Sequence, residues 1–186
     1  MTSHRPRGRD EVPLAVIEAC ERMCVSKSPS EFSTKELAAE ASVTTSLLYF
    51  YFDSKDHILA ETLRSIATEI NEAALAEETP AKMVETAGEF MWNRPGFPRL
   101  LIALTLENRN ITDIMGDHPF IRTLAKALAD DSDVEDAREA AVVLITSAVS
   151  AAVLGRAANV AIGRDSEDPR IARELVQSAL VNAGVA

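Results

Sequence analysis

A chain of 186 residues with 47% hydrophobic and 26% charged side chains is apolar enough to bury a core and too weakly charged to be disordered. Its net charge of −10 excludes a general coat for nucleic acid, because non-specific affinity comes from Lys and Arg neutralising phosphates. Residues 1–57 hold seven Lys or Arg against nine Asp or Glu, a net −2, and the remainder carries −8, so any contact with DNA must be local to the first part.

The chain opens with His4, Arg5, Arg7 and Arg9, and no apolar run follows that would serve as a signal peptide, which points to the cytoplasm. The basic tail is either solvated or an arm that reaches into a minor groove. Val16, Ile17, Cys20, Met23 and Cys24 recur at steps of three and four, predicting a first helix from about Asp10–Pro13 to about Ser26–Pro29. Cys20 and Cys24 share one face of it, where the backbone holds them apart, so a disulfide framework is excluded. Without further Cys or His nearby no metal site is expected. The two thiols pack in the core, a redox-sensing thiol being the alternative.

Ser33 with Glu36 forms a capping box and Phe32 with Leu37 its hydrophobic staple, specifying a helix from Thr34 to about Glu40. After Ala41-Ser42-Val43, Thr44 caps a third helix, Thr45 to Tyr51. Asp53 or Ser54 caps a fourth, which carries Ile58, Leu59, Leu63, Ile66 and Ile70 along one side and runs to Glu77 or Glu78. Prolines 80, 95, 98, 119 and 169 mark later starts and breaks, with helices at 81–93, 97–108, 119–130, 135–162 and 169–183 and Gly163 as a C-terminal cap. The fold read from this pattern is all-α with about nine helices: an N-terminal three-helix domain, 1–57, and a C-terminal helical bundle, 58–186. The longest apolar stretch, Ala140 to Ala152, falls short of the roughly 20 residues of a membrane span. No membrane contact is expected.

A capped short helix, a three-residue turn and a second short helix make a helix-turn-helix, whose second helix enters the major groove. Ala38, Val43 and Leu48 form its seam, where a small residue lets the two helices cross closely. The run from Phe32 to Lys55, FSTKELAAEASVTTSLLYFYFDSK, resembles the DNA-binding signature of the tetracycline-repressor (TetR) family, over about residues 10–65. Ser42 stands where that family usually has Gly, and Thr45 where Lys is frequent.

The resemblance implies a ligand-responsive transcriptional regulator, a repressor, that binds double-stranded operator DNA as a homodimer and is released or tuned by a small molecule. Carried over by position, its DNA contacts are Thr44, Thr45, Ser46, Leu47, Tyr49 and Tyr51. Their hydroxyls suit phosphates or base edges, and the Leu and Thr methyls suit thymine methyls, but none makes a bidentate fork to guanine. Lys35 and Lys55 are expected as phosphate anchors near helix N-termini. Phe50 and Phe52 are expected to fill the core, with Tyr49 and Tyr51 reaching phosphates.

The last two helices are expected to form the homodimer interface, with Val142, Val143, Ile145, Val149, Val153 and Leu154 beside small residues at 148, 151, 152 and 155, and Leu175, Val176, Ala179 and Leu180 from the last helix. An intramolecular core is the alternative. For a small apolar ligand the bulky residues Trp92, Phe97 and Leu101 and the polar Asn108, Thr146 and Ser150 are the candidate contacts, each also readable as plain core, cap or surface. No Glu-x-x-His pair, phosphate-binding Gly loop or Gly-x-Ser-x-Gly elbow occurs, so neither a cofactor nor catalysis is expected. Two alternatives remain beside the regulator: a helix-turn-helix-shaped protein-interaction module that does not bind DNA, and an all-α enzyme.

Overall fold

In the computed structural model, residues 11–111, 114, 119–131 and 136–185 are described; the basic tail with Arg5, Arg7 and Arg9 lies outside them. Among these residues there are nine α-helices and no strand. They are α1 (Glu11–Cys24), α2 (Thr34–Glu40), α3 (Thr45–Tyr51), α4 (Lys55–Leu75), α5 (Pro80–Asn93), α6 (Gly96–Leu106), α7 (Pro119–Asp131), α8 (Ala137–Ala161) and α9 (Arg170–Asn182).

The helix starts follow their caps. Ser33, Thr44 and Thr79 each accept a backbone N–H three residues on through the side-chain oxygen, and Asp136 takes those of Arg138 and Glu139 at 3.1 Å. Ser54, not Asp53, caps α4, its hydroxyl accepting from the His57 N–H at 3.0 Å. The ends depart more. α1 stops at Cys24, earlier than its apolar stripe predicts, and a 3₁₀ turn, Pro29–Glu31, precedes α2. That turn is closed by the Ser28 N–H donating to the Glu31 carboxylate at 2.6 Å, a second reciprocal cap one step upstream of Ser33. α6 ends at Leu106, where Asn108 takes a left-handed φ of 57° and the Arg109 N–H reaches back to the Leu104 carbonyl at 2.9 Å. Gly163, with φ 74°, ends α8 as expected.

The chain forms two compact units, one from the described residues of Met1–Ala67 and Arg99–Gly116, the other from Thr68–Pro98 and Asp117–Ala186. The sequence boundary at 57/58 therefore falls inside α4 within the first unit, to which the later segment from Arg99 returns. In the first unit α1 packs against α2 and α3 around Val16, Cys20, Leu37, Leu48, Ile58 and Leu63, all fully buried. Cys20 and Cys24 are buried free thiols, and the fully buried Thr62 satisfies its hydroxyl on the Ile58 carbonyl at 2.8 Å. The hydrogen bond between the two thiols pulls Cys20 down and pushes Cys24 up.

In the second unit α8 packs against α5, α7 and α9. By length and composition alone α8 could cross a membrane, a longer apolar helix than the interrupted stretch at 140–152 predicts. The small residues Ala148, Ala151, Ala152 and Gly155 face inward, into this unit's own core. A Cβ on Gly155 would stand 2.8 Å from the Trp92 ring, so the helix approaches that ring only because residue 155 has no side chain.

Candidate nucleic-acid interface

The geometry of the helix-turn-helix grows from local bonds. Ser33 and Glu36 exchange contacts, the Glu36 N–H reaching the Ser33 hydroxyl at 3.2 Å and the Ser33 N–H the Glu36 carboxylate at 2.8 Å. That N–H first, and the Ser33 hydroxyl second, hold the Glu36 carboxyl below its ordinary value. At the turn Ala41 closes on the Leu37 carbonyl, Ser42 adopts φ 57°, and the Val43 N–H returns to the Ala38 carbonyl at 2.9 Å. Ser42 thus takes the left-handed conformation that a Gly would adopt without strain. Ala38, Val43 and Leu48 are 2%, 9% and 0% exposed, so the seam is closed.

Around α3 the candidate contacts sort by exposure. Thr44, Ser46 and Tyr49 are exposed; Thr45, Leu47 and Tyr51 are half-buried at the edges. The Thr44 oxygen caps Leu47 at 3.1 Å, which leaves its O–H free to donate outward. The Tyr49 hydroxyl pairs with that of Thr34 at 3.1 Å, joining α3 to the start of α2. Phe52 is buried, as expected, but Phe50 is not: at 78% exposure it projects from α3 and packs only edge-on against Tyr51. The sequence predicts both Phe50 and Phe52 in the core, but a seven-residue helix turns only one face inward, and Phe52 shares that face with Leu48 while Phe50 does not.

Among the cations, Lys35 is exposed in the first turn of α2 and makes no ion pair with the described residues. Arg22 pairs with Glu40 at 3.0 Å and Lys27 with Glu36 at 3.7 Å. Lys55 is half-buried and differently employed: its ammonium donates to the carbonyls of Pro29 and Phe32 and lies 4.4 Å from the centre of the Phe32 ring. Two of its three N–H donors thus bind the 3₁₀ turn and the entry of α2 to the start of α4.

Residues 16–62 match the model of the bacterial regulatory proteins of the tetR family. Over this region the chain is similar to the TetR family. A transcriptional repressor of Mycobacterium tuberculosis, Rv3405c, is 29% identical over 82 residues, 44% of this chain and 43% of its own length. The transcriptional regulator EthR of the same organism is 32% identical over 89 residues, 47% of this chain and 39% of its own. The chain thus spans less than half the length of these curated relatives. The TetR-type fold extends further: a TetR/AcrR-family regulator from Aquifex aeolicus VF5 superposes with a TM-score of 0.71 at 15% identity, covering 92% of this chain and 99% of that one.

The second unit holds a cavity of about 410 Å³ among α5, α8, α9 and the loop before α9. Gly88, Trp92, Ala148, Ala151, Ala172 and Val176 give it an apolar floor, and Glu85, Glu89, Glu167, Arg173 and Gln177 a polar, largely charged rim. Arg156 stacks 4.3 Å from the centre of the Trp92 ring, donates to the Trp92 carbonyl at 3.0 Å and forks onto Glu167, fixing the ring that forms the floor. Of the six candidate ligand contacts only Trp92 lines this space. Phe97 is buried in the same unit apart from it, Thr146 and Ser150 are exposed on α8, and Leu101 and Asn108 belong to the first unit. The missed rim was partly legible, since Glu85, Gly88, Glu89 and Trp92 share one face of α5 at steps of three and four.

Proposed function

We propose that the chain is a ligand-responsive transcriptional regulator, acting in the cytoplasm as a repressor on double-stranded operator DNA. The observation that carries this reading is the outward face of α3, where hydroxyl and aromatic groups stand exposed on a helix whose opposite face is sealed by Leu48. Thr44, Thr45, Ser46, Leu47, Tyr49 and Tyr51 serve as the contacts, with Lys35 on phosphate and any phosphate bond of Lys55 drawn from its remaining N–H. The Mycobacterium tuberculosis relatives named as regulator and repressor support it.

A homodimer forms through α8 and α9 in this reading. Val142, Val143 and Leu154 on α8 and Leu175 and Val181 on α9 are 45–65% exposed, an apolar surface suited to a second copy. The regulating ligand is a small, mainly apolar molecule taken into the cavity over Trp92. Gated helices of this kind need only a differential affinity between two states for the ligand to shift DNA binding.

The test is a titration of the chain against a duplex from the upstream region of its own gene and a random duplex of equal length, across a salt series. Affinity should favour the upstream duplex and fall steeply with salt. Equal binding of both duplexes, or none at low salt, would sink the regulator reading. The only tryptophan of the chain lies in the cavity floor, so its emission reports occupancy directly.

A further inference from the structure

The apolar side chain on α3 that no packing explains is Phe50. Leu48 points into the seam, fully buried, and Ser46 and Phe50 stand two residues to either side, about 200° around the helix from it. Phe50 therefore leads the face that a helix-turn-helix lays into the major groove. At 78% it is more exposed than any other large apolar side chain among the described residues. Its ring is not loose: it stands edge-on to Tyr51, centroids 5.1 Å apart and planes at 83°, which holds it at one side of the helix.

A phenyl ring in the major groove meets one apolar group, the C5-methyl of thymine. A guanine edge offers two acceptors there and a cytosine edge an amino donor, and a ring laid over either removes water without replacing its hydrogen bond. Phe50 thus favours thymine at one position and penalises its competitors, by attraction and exclusion together. Ser46, one turn earlier on the same face, has a hydroxyl and serves either base edge without this selectivity.

We propose that Phe50 is a specificity-determining residue that packs on the C5-methyl of a thymine in the bound DNA. This rests on the DNA-binding reading above. The test recovers duplexes from a randomised library with the full chain, then replaces each thymine of the recovered duplex singly with deoxyuridine, which removes only the methyl group. At one position per site the wild type should lose about fourfold in affinity, the worth of one buried methyl. Phe50→Ala should bind the thymine and deoxyuridine duplexes equally at that position, and Phe50→Leu should keep part of the difference. Since Phe50 is exposed, the Ala variant should melt with the wild type.

Discrimination that survives in Phe50→Ala, or a wild type indifferent to every replacement, overturns the inference while DNA binding stands. Failure to enrich any duplex, with no salt-dependent binding, removes the DNA-binding reading and the inference with it.

Discussion

Lys55 shows how far a residue's setting can redirect it. By sequence it is a cation in the first turn of α4, suited to a phosphate; in the fold its ammonium holds the carbonyls of Pro29 and Phe32 and the face of the Phe32 ring. Lys55→Met should lower stability by about 2 kcal/mol in urea denaturation, since it removes charged hydrogen bonds to half-buried acceptors. Binding to all duplexes should weaken alike. A residue used for phosphate alone would leave the urea midpoint unmoved and reduce the salt slope by about one. Glu36 offers a pH test. Its carboxyl sits below 4.5 in the folded chain, so its stabilisation is present above pH 4.5 and is lost as pH falls through that lowered value. Glu36→Gln keeps the reciprocal cap without the titrating group. Thermal melts should show a shallower loss of stability below pH 4.5 in that variant than in the wild type; an unchanged acid limb would assign the loss to other carboxylates.

Among the elements, α8 has the tightest packing constraint. Its small residues at 148, 151, 152 and 155 turn toward α5 and α9, where Gly155 meets Trp92. Gly155→Ala would place a methyl 2.8 Å from the Trp92 ring, against which Arg156 also stacks. A cost of about 1–3 kcal/mol follows from overpacking, readable as a lower urea midpoint followed by Trp92 emission. An unchanged midpoint would show the ring able to shift. The opposite face of α8, with Val142, Val143, Thr146, Ser150 and Leu154, is left to solvent in the single chain. The residues proposed to orient a ligand there by sequence are on the surface, and the cavity is built from the other side of the same helix.

For the whole molecule, the unpaired apolar surface on α8 and α9 and the uneven charge act together. In the proposed reading, a net −8 beyond residue 57 disfavours DNA at the second part and the first part has little positive charge of its own, so useful affinity is expected to need the heads of two copies. Leu154→Glu and Val181→Glu, at side chains 62% and 65% exposed, should leave the protomer folded and turn a dimer into a monomer in analytical ultracentrifugation. Promoter binding should then drop by at least an order of magnitude, as two linked contacts become one. A wild type that sediments as a monomer at micromolar concentration would refute this assembly.

The sequence by itself determined the caps, the turn at Ser42, the seam of Ala38, Val43 and Leu48, and the TetR-type signature. These rest on bonds between residues three to five apart, which the local order of side chains dictates. Helical period also says which residues share a face. It does not say which apolar face receives a neighbour, because that neighbour arrives from a distant part of the chain. Only the tertiary structure could turn Phe50 outward and Lys55 inward, set the small residues of α8 against Trp92, and bring Glu85, Glu167 and Arg173 to one rim.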